Sequence, residues 1–309
     1  MSAASLALCF GRADAALSTA DAAGLAVANA VIDGAVREPW AHPDGAGERV
    51  GDLVLWRCGS ELWGAASAVV DADGLGPTTH SLYRQLFHAA GSLNLHRIWN
   101  YIPSINAPHG EGDRYQTFCR GRALAIGEHP DGDGARMPAA SALGTPGDTL
   151  ALLFVAGPDP VQHVENPRQI PAHCYPRRYG AHAPTFARGS LVTRADGTRR
   201  LYLSGTASIR ASESLHPGDV AAQFEVALEN ADLVARSAGL PGGLSATSPG
   251  TRRLRLYLRH PLHWDIVRAL LDRRLRRAGD TVSVIQADVC RPELLVEIEA
   301  CVDVAPAPG

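Results

Sequence analysis

Residues 201–238 read LYLSGTASIRASESLHPGDVAAQFEVALENADLVARSA, and this stretch decides the fold. It opens with the apolar alternation of a β-strand at Leu201–Ser204 and passes through a Gly-Thr-Ala-Ser turn. Apolar residues then recur at helical spacing over Val220–Ala238. Asp219 can cap the start of that helix, and Gly239 can end it. The chain therefore combines strand and helix, which indicates the α+β class.

The remainder of the C-terminal half repeats the alternation of strands and helices. Gly189–Val192 is predicted to form a hairpin with Leu201–Ser204, turning at an Ala-Asp-Gly-Thr sequence. A second amphipathic helix is predicted over His263–Ala278. The other predicted strands are Arg253–Arg259, Val282–Val289 and Leu294–Val302. The resulting order is β-β-α-β-α-β-β.

The N-terminal half reads as a diverged copy of this order. Its predicted strand, helix, strand, helix and strand are Asp52–Arg57, Ser81–Ser92, His96–Ile102, Tyr115–Ile126 and Thr149–Val155. His96–Ile102 matches Arg253–Arg259, and Thr149–Val155 matches Leu294–Val302. The sequence thus predicts an internal duplication, with domains at residues 1–158 and 159–309. Only two repeats are visible in it, and stretches rich in Pro and Gly are predicted as loops at Glu38–Gly51, His129–Ala139 and Leu240–Gly250.

Bulk composition argues against several classes of protein. The net charge of −3 provides no broad basic field for nucleic acid, and no run approaches the ~20 apolar residues of a membrane span. The six cysteines are scattered without a C-x-x-C pair, as in reduced cytosolic proteins. We therefore expect a cytoplasmic protein that binds neither nucleic acid nor a membrane.

Short motifs connect the chain to known families. Gly205–Ile209 (GTASI), Gly218–Gln223 (GDVAAQ) and Val296–Ala300 (VEIEA) together resemble the Rid (YjgF-like) superfamily. Three further segments resemble the chorismatase / 3-hydroxybenzoate synthase family: Tyr101–Asn106 (YIPSIN), Arg114–Arg122 (RYQTFCRGR) and Tyr179–Gly189 (YGAHAPTFARG). The resemblance implies tandem Rid-like (chorismate-mutase-like) units in a monomeric chain. Their mixed β-sheets would carry helices on one face.

The resemblance also implies an activity. Chorismatases cleave the enolpyruvyl ether of chorismate without a cofactor, and we expect pyruvate and 3-hydroxybenzoate here, with 4-hydroxybenzoate as a minor product. Hydrolysis to a dihydroxycyclohexadienoate is one alternative. A Rid-type imine deaminase and a non-catalytic protein that binds small acids are the others. The deaminases carry an arginine fifteen residues before the glutamate, where this chain has Val282, which argues against deamination.

Glu297 is the first candidate catalytic residue. In an alternating strand it shares one face with Leu295, Glu299 and Cys301, a pattern that by itself is also typical of a solvated sheet face. The resemblance implies instead that Glu297 is the general acid that protonates the enolpyruvyl methylene carbon. Apolar neighbours would keep its carboxyl protonated near neutral pH. Glu299 is expected to matter much less.

Cys290 is the second candidate, seven residues before Glu297. A free cysteine is most often a small buried hydrophobe. The resemblance implies a role in product choice, because family members with cysteine here resemble 3-hydroxybenzoate synthases. The side chain could fill the space that a water would need, or relay a proton as a thiolate.

The candidate substrate-binding residues follow from the two carboxylates of chorismate, which call for the planar fork of arginine. Arg114 and Arg188 are the first choices in the matching segments, and Arg259 is the third. Aromatic and backbone contacts are expected from Tyr115, Tyr179, Gly205, Thr206 and Ala207. No metal is expected, because His260 and His263 flank a proline and have no acidic or cysteine partner nearby in sequence.

Overall fold

A computed structural model describes residues 5–11, 17–18, 23–71, 73–129, 134, 137–246 and 250–304. Within these ranges the α-helices are α1 Leu75–Ala90, α2 Arg114–Glu128, α3 Val220–Ser237 and α4 Trp264–Arg274. Short 3-10 helices occur at Ala172–Cys174, Arg177–Tyr179 and Pro261–His263. None of the helices in the described ranges is long and apolar enough to cross a membrane.

The strands fall into three groups along the chain. The first fifty residues hold β1 Leu6–Phe10, β2 Leu17–Ser18, β3 Gly24–Val27, β4 Val31–Asp33, β5 Arg37–Ala41 and β6 Glu48–Val50. The middle group is β7 Leu53–Cys58, β8 Glu61–Val69, β9 Asn94–Pro103, β10 Pro108–His109, β11 Gly112–Asp113, β12 Ala139–Thr145 and β13 Thr149–Gly157. The last group is β14 Val161–Val164, β15 Gly189–Thr193, β16 Arg199–Ala207, β17 Ile209–Arg210, β18 Glu213–Ser214, β19 Arg252–Leu258, β20 Thr281–Gln286 and β21 Val296–Val304.

Two large sheets in the chain have the same topology. The middle sheet contains the strand order β7-β8-β13-β9-β12, and the C-terminal sheet contains β15-β16-β21-β19-β20. Each has a single parallel pair within this order, β9 with β12 and β19 with β20. The segments matched in the sequence, β9 with β19 and β13 with β21, therefore occupy equivalent positions. The division into two domains at residue 158 stays a prediction.

Each large sheet is covered by two helices on one face, as the α+β class predicts. Helices α1 and α2 pack with Ile98, Ile102 and Leu152 of the middle sheet, and α3 and α4 pack with Leu254 and Leu256 of the C-terminal sheet. The opposite faces meet the small sheet β2-β3-β1-β5 in a shared core. These contacts confirm mixed sheets with helices on one face.

The shared core contains the equivalent tyrosines of the two large sheets. Tyr101 of β9 and Tyr257 of β19 are fully buried, and their hydroxyl oxygens lie 3.3 Å apart. Trp63 and Trp99 stack beside them with ring centroids 6.2 Å apart. One hydrophobic core thus joins all three sheets, and strands β1, β3 and β5 contribute side chains to it.

Several predicted elements differ from the structure. The predicted loop at Glu38–Gly51 is wrong in part, because it contains part of β5 and all of β6, and Glu38 is buried. Strands β8 and β12 are rich in Ala, Ser and Gly, so they lack the β-branched pattern of a strand. The second C-terminal helix ends at Arg274 instead of Ala278. Residues 130–133, 135–136 and 247–249 of the other two predicted loops lie outside the described residues.

Candidate active site

A cavity of about 220 Å³ lies between the two large units. The N-terminal half contributes Tyr115 and Arg122 of α2 and residues 140–142 of β12. The C-terminal half contributes residues from β16, β21, the loop at 290–293 and the segment at 175–188. The lining side chains from that half include Tyr175, Tyr179, Phe186, Arg188, Ala207, Ile209, Cys290, Arg291 and Glu297. Small, partly apolar cavities of this kind are the usual sites of small ligands.

Glu297 is the second residue of β21, and it lines this cavity. It is opposite Ala207 of β16 and Tyr257 of β19, and only 4% of it is exposed. Its carboxylate rests directly on Gly205, where a Cβ atom would lie 1.6 Å from Oε1. Glycine at 205 is therefore required by the close approach of the acid, and the register of β16 against β21 is irregular at this point.

The surroundings of Glu297 favour its protonated form. Burial raises the pKa of this carboxyl to about 8, and the negative charge of Glu299 adds to the effect. The positive charges of Arg97 and Arg188 act in the opposite direction but do not overcome it. At neutral pH the group is therefore mostly a neutral acid that can donate a proton.

Glu299, two residues further along β21, lies in a different environment. Its oxygens accept hydrogen bonds from Trp99 Nε1 and Ser141 Oγ, each at 2.7 Å. Ion pairs join it to Arg97 at 2.8 Å and to Arg255 at 2.9 Å. Burial opposes its ionisation, but these cations and donors outweigh burial and lower its pKa. Glu299 therefore holds together a buried network of Arg97, Arg255, Trp99 and Ser141, and its smaller effect on activity stays a prediction.

Two buried arginines supply positive charge to the cavity wall. Arg188 is 4% exposed and donates from Nη2 to the Tyr175 hydroxyl at 2.8 Å, while its Nε has no hydrogen-bond partner. Arg122 is 1% exposed, its Nε also lacks a partner, and the described residues provide no carboxylate to pair with it. Arg188 Nε has an ion pair with Glu165 only at the long distance of 4.0 Å. Buried cations that are weakly paired favour the binding of an anionic ligand.

The two candidate tyrosines line opposite sides of the cavity. Tyr115 lies on α2 beside Cys119, and burial raises its pKa well above the ordinary value. Tyr179 donates from its hydroxyl to Glu213 at 3.0 Å, and the Arg291 guanidinium lies 3.9 Å from its ring centroid. Arg291 also donates to the Ser212 carbonyl at 2.8 Å, so Tyr179 and Arg291 both contact the Ser212–Glu213 segment.

Cys290 belongs to a small apolar cluster at the cavity wall. It packs against Ala207, Ile209, Val289 and Leu294. Burial, followed by the nearby charge of Glu297, raises the pKa of its thiol to about 12. The group is therefore a neutral thiol at physiological pH. A raised pKa disfavours a thiolate relay, and the space-filling role of Cys290 stays a prediction.

Three predicted substrate-binding residues do not line the cavity. Thr206 points to the opposite face of β16 from Gly205 and Ala207, and its hydroxyl donates to the Ser204 carbonyl at 2.8 Å. Arg114 is nearly buried and donates from Nε to the Pro103 carbonyl at 2.8 Å. Arg259 pairs with Asp288 at 2.6 Å and donates to three backbone carbonyls of the loop that carries Cys290.

The cavity also contains residues that the sequence did not single out as site residues. Ser141 lies on β12, and its hydroxyl accepts a hydrogen bond from the Gly205 amide at 3.0 Å. Tyr175, Phe186 and Arg291 surround the Arg188 side of the cavity. Phe186 lies inside the motif Tyr179–Gly189, two residues before Arg188. Its place in that motif could have indicated that it belongs to the site. In the ranges that the structure describes, no three His, Cys, Asp or Glu side chains group as metal ligands.

The fold is of the α+β class, and its cavity combines one buried carboxyl of raised pKa with two buried arginines. Residues 38–156 match the family described as "Chorismatase FkbO/Hyg5-like, N-terminal". A chorismatase from Streptomyces rapamycinicus is 37% identical over 290 residues, covering 87% of this chain and 83% of the relative. A 3-hydroxybenzoate synthase from Streptomyces hygroscopicus is 36% identical, covering 83% and 77%.

A solved structure agrees with these relatives. A chorismatase crystal structure superposes with a TM-score of 0.84 at 31% identity, covering 96% of this chain and 91% of that chain. The chain belongs to the chorismatase family.

Proposed function

We propose that this protein cleaves the enolpyruvyl ether of chorismate to pyruvate and 3-hydroxybenzoate, with Glu297 as the general acid. The observation that carries the proposal is the Glu297 carboxyl, whose pKa is raised to about 8 in a cavity walled by apolar side chains and cations. Two relatives with the names chorismatase and 3-hydroxybenzoate synthase support the substrate and the product.

Arg188 and Arg122 would bind the two carboxylates of chorismate. Both guanidinium groups lie in the cavity wall with a buried Nε that makes no hydrogen bond, although Glu165 lies 4.0 Å from that of Arg188. Arginine forks bind carboxylates in a fixed plane, so two of them fix the orientation of the substrate. The rings of Tyr115 and Phe186 would then enclose the cyclohexadiene between the cations.

The first chemical step transfers the Glu297 proton to the methylene carbon of the enolpyruvyl group. The carbon–carbon double bond supplies the electron pair, and the former ether carbon becomes an oxocarbenium ion. The new carboxylate of Glu297 lies beside that cation and stabilises it by direct attraction in a site with little water. Glu297 therefore serves as proton donor first and as counter-charge second.

Product choice depends on which oxygen captures the oxocarbenium ion. Capture by the ring hydroxyl, loss of pyruvate and aromatisation give 3-hydroxybenzoate, and the atoms of chorismate then equal those of the two products. Capture by water gives the dihydroxycyclohexadienoate instead. Cys290, Ala207 and Ile209 form an apolar wall with a neutral thiol, and a bound water needs polar partners. This wall favours capture by the ring hydroxyl, with 4-hydroxybenzoate as a minor product.

We also propose that the chain acts in the cytoplasm as a monomer without a cofactor. The stoichiometry needs no oxidant, reductant or co-substrate for the route to 3-hydroxybenzoate. Three sheets already share one core within a single chain, so internal units take the place that subunits hold in a closed oligomer. Size-exclusion chromatography with light scattering at 32.6 kDa would agree with a monomer, and three times that mass would refute it.

The test of the function is a product analysis. Purified protein is incubated with chorismate, pyruvate is followed with lactate dehydrogenase, and the ring acids are separated by chromatography. From the wild type we expect pyruvate in an amount equal to the hydroxybenzoates together, with 3-hydroxybenzoate as the main one. From Glu297→Gln we expect ~10²-fold less of each, or lower still. The exposed Glu111→Gln is the matched control. Turnover of a small imine without turnover of chorismate would support the deaminase alternative and refute the proposal.

A further inference from the structure

A chain of buried charges connects the small N-terminal sheet to the acid. Glu38 of β5 is 2% exposed and accepts two hydrogen bonds from Arg255, one of them from Nε at 3.2 Å. Arg255 of β19 donates from Nη1 to Glu299 at 2.9 Å. Glu299 lies on the same face of β21 as Glu297, two residues further along the strand. Three carboxylates and one guanidinium thus follow each other through the core.

The charge balance of this cluster depends on Glu38. Within the ion pairs of this cluster, the two carboxylates of Glu38 and Glu299 are matched by the guanidinium groups of Arg97 and Arg255. Arg188 and Arg253 lie outside these pairs and act on Glu297 and Glu38, respectively. Ionisation of Glu297 would add an excess negative charge beside Glu299. Loss of Glu38 would leave an excess positive charge, and that excess favours ionised Glu297. Arginine cannot release the excess by deprotonation.

We propose that Glu38, which lies outside the cavity, is a positioning residue for the acid and acts on Glu297 through Arg255 and Glu299. The inference rests on the proposed role of Glu297 as the proton donor. Glu38 has a second property that suits this role, because it comes from the small sheet and its charge reaches the site without occupying any of the cavity. The first strands of the chain are thereby part of the catalytic unit.

Other charged and titratable groups face Glu297 from each neighbouring element. They are Glu299 on β21, Tyr257 on β19, Arg97 on β9, and Cys290, Arg291 and Glu293 in the preceding loop, together with Tyr175, Arg178, Tyr179 and Arg188 before β15 and Asp113, Tyr115 and Arg122 at α2. All of these residues are the same in the wild type, in Glu38→Gln and in Glu38→Asp. A difference between those variants therefore reports the charge at position 38.

The experiment measures the protonation of Glu297 directly. Protein with ¹³C-labelled glutamate carboxyls is titrated by NMR, with the Glu297 signal assigned by its absence in Glu297→Gln. In Glu38→Gln we expect the midpoint to fall by roughly half a unit to one unit, the size of one charge acting through two neighbours at an effective dielectric constant of about 20. In Arg255→Met we expect the midpoint to rise. Glu38→Asp, which keeps the charge, should stay near the wild type.

Activity provides the second readout. The alkaline limb of kcat/KM against pH should move down in Glu38→Gln, with little change at pH 6, where the acid is protonated in both proteins. A purely structural role would lower the rate at every pH and would leave the limb in place.

The outcomes separate this inference from the proposed function. An unchanged NMR midpoint in a folded Glu38→Gln protein would overturn the inference even if chorismate is cleaved. A wild type that does not cleave chorismate would overturn the function, while the NMR titration could still bear out the coupling. If neither Glu38→Gln nor Arg255→Met folds, the pair serves folding stability and the inference is refuted.

Discussion

Gly205→Ala is the sharpest test of the assigned acid. The substitution adds one carbon, and that carbon would lie 1.6 Å from Glu297 Oε1. Real Cβ atoms almost never come closer than 3.0 Å to another heavy atom, so the oxygen must move by about 1.4 Å. Gly205 is not among the glycines with positive φ, so the alanine backbone itself is unstrained. The change therefore acts on the position of the acid.

The magnitude follows from this displacement. A misplacement of about 1 Å in a catalytic group costs roughly 10²-fold in rate, because the reacting atoms lose their near-attack geometry. We expect kcat/KM for pyruvate release to fall at least about 100-fold in Gly205→Ala. The coupled lactate dehydrogenase assay measures the rate, and near-ultraviolet circular dichroism checks that the tertiary packing is kept.

A matched control distinguishes this effect from the general effect of alanine for glycine. Gly127 lies near the end of α2, and no heavy atom lies within 4 Å of the Cβ that alanine would add there. Gly127→Ala should retain wild-type turnover. If Gly205→Ala folds normally and turns over chorismate at the wild-type rate, Glu297 does not donate the proton from the position described.

Three further predictions concern the same cavity. Glu297→Gln should fold and lose pyruvate release by ~10²-fold or more in the coupled assay, as expected for a lost general acid; near-normal turnover would contradict the mechanism. Glu297 binds its proton more tightly in the folded state, so the wild-type free energy of unfolding should fall as pH rises from about 4.5 towards about 8, and Glu297→Gln should remove that part of the fall in urea titrations. Cys290→Ala should open the apolar wall to water and shift the products towards the dihydroxycyclohexadienoate, with ¹⁸O from water entering pyruvate; an unchanged product ratio and label would make Cys290 a packing residue only.

The sequence predicted the architecture of the two large units because their strands and helices carry strong periodicity. The apolar faces of α3 and β19 can be read directly, and the equivalence of β9 with β19 followed from order and spacing. The small sheet could not be predicted, because its strands are short and polar residues such as Glu38 are buried in them by long-range ion pairs. Glu38 is buried because it pairs with Arg255, which lies 217 residues further along the chain, and no local sequence pattern reveals such a partner.

The candidate site was also predicted only in part. Glu297, Cys290, Arg188, Tyr115, Tyr179, Gly205 and Ala207 were predicted from motifs, and the structure brings them to one cavity. Arg114 lies in one of those motifs and Arg259 was predicted beside them, but their donors contact backbone carbonyls and, for Arg259, Asp288. A motif indicates which residues are near a site, while the direction of each side chain depends on strand register and on competing acceptors. Assignment of roles to the lining residues stays a prediction.

The internal duplication has a consequence for how such a site can change over time. Ala151 pairs with Tyr101 in one unit where Glu297 pairs with Tyr257 in the other, so only one of the two equivalent strands carries an acid there. In an assembly of identical subunits, every mutation appears in each cleft at once. In this chain the wall with the acid and the wall with Arg122 are encoded separately. The shape of the cavity can therefore be altered on one wall by a single mutation that leaves Glu297 unchanged.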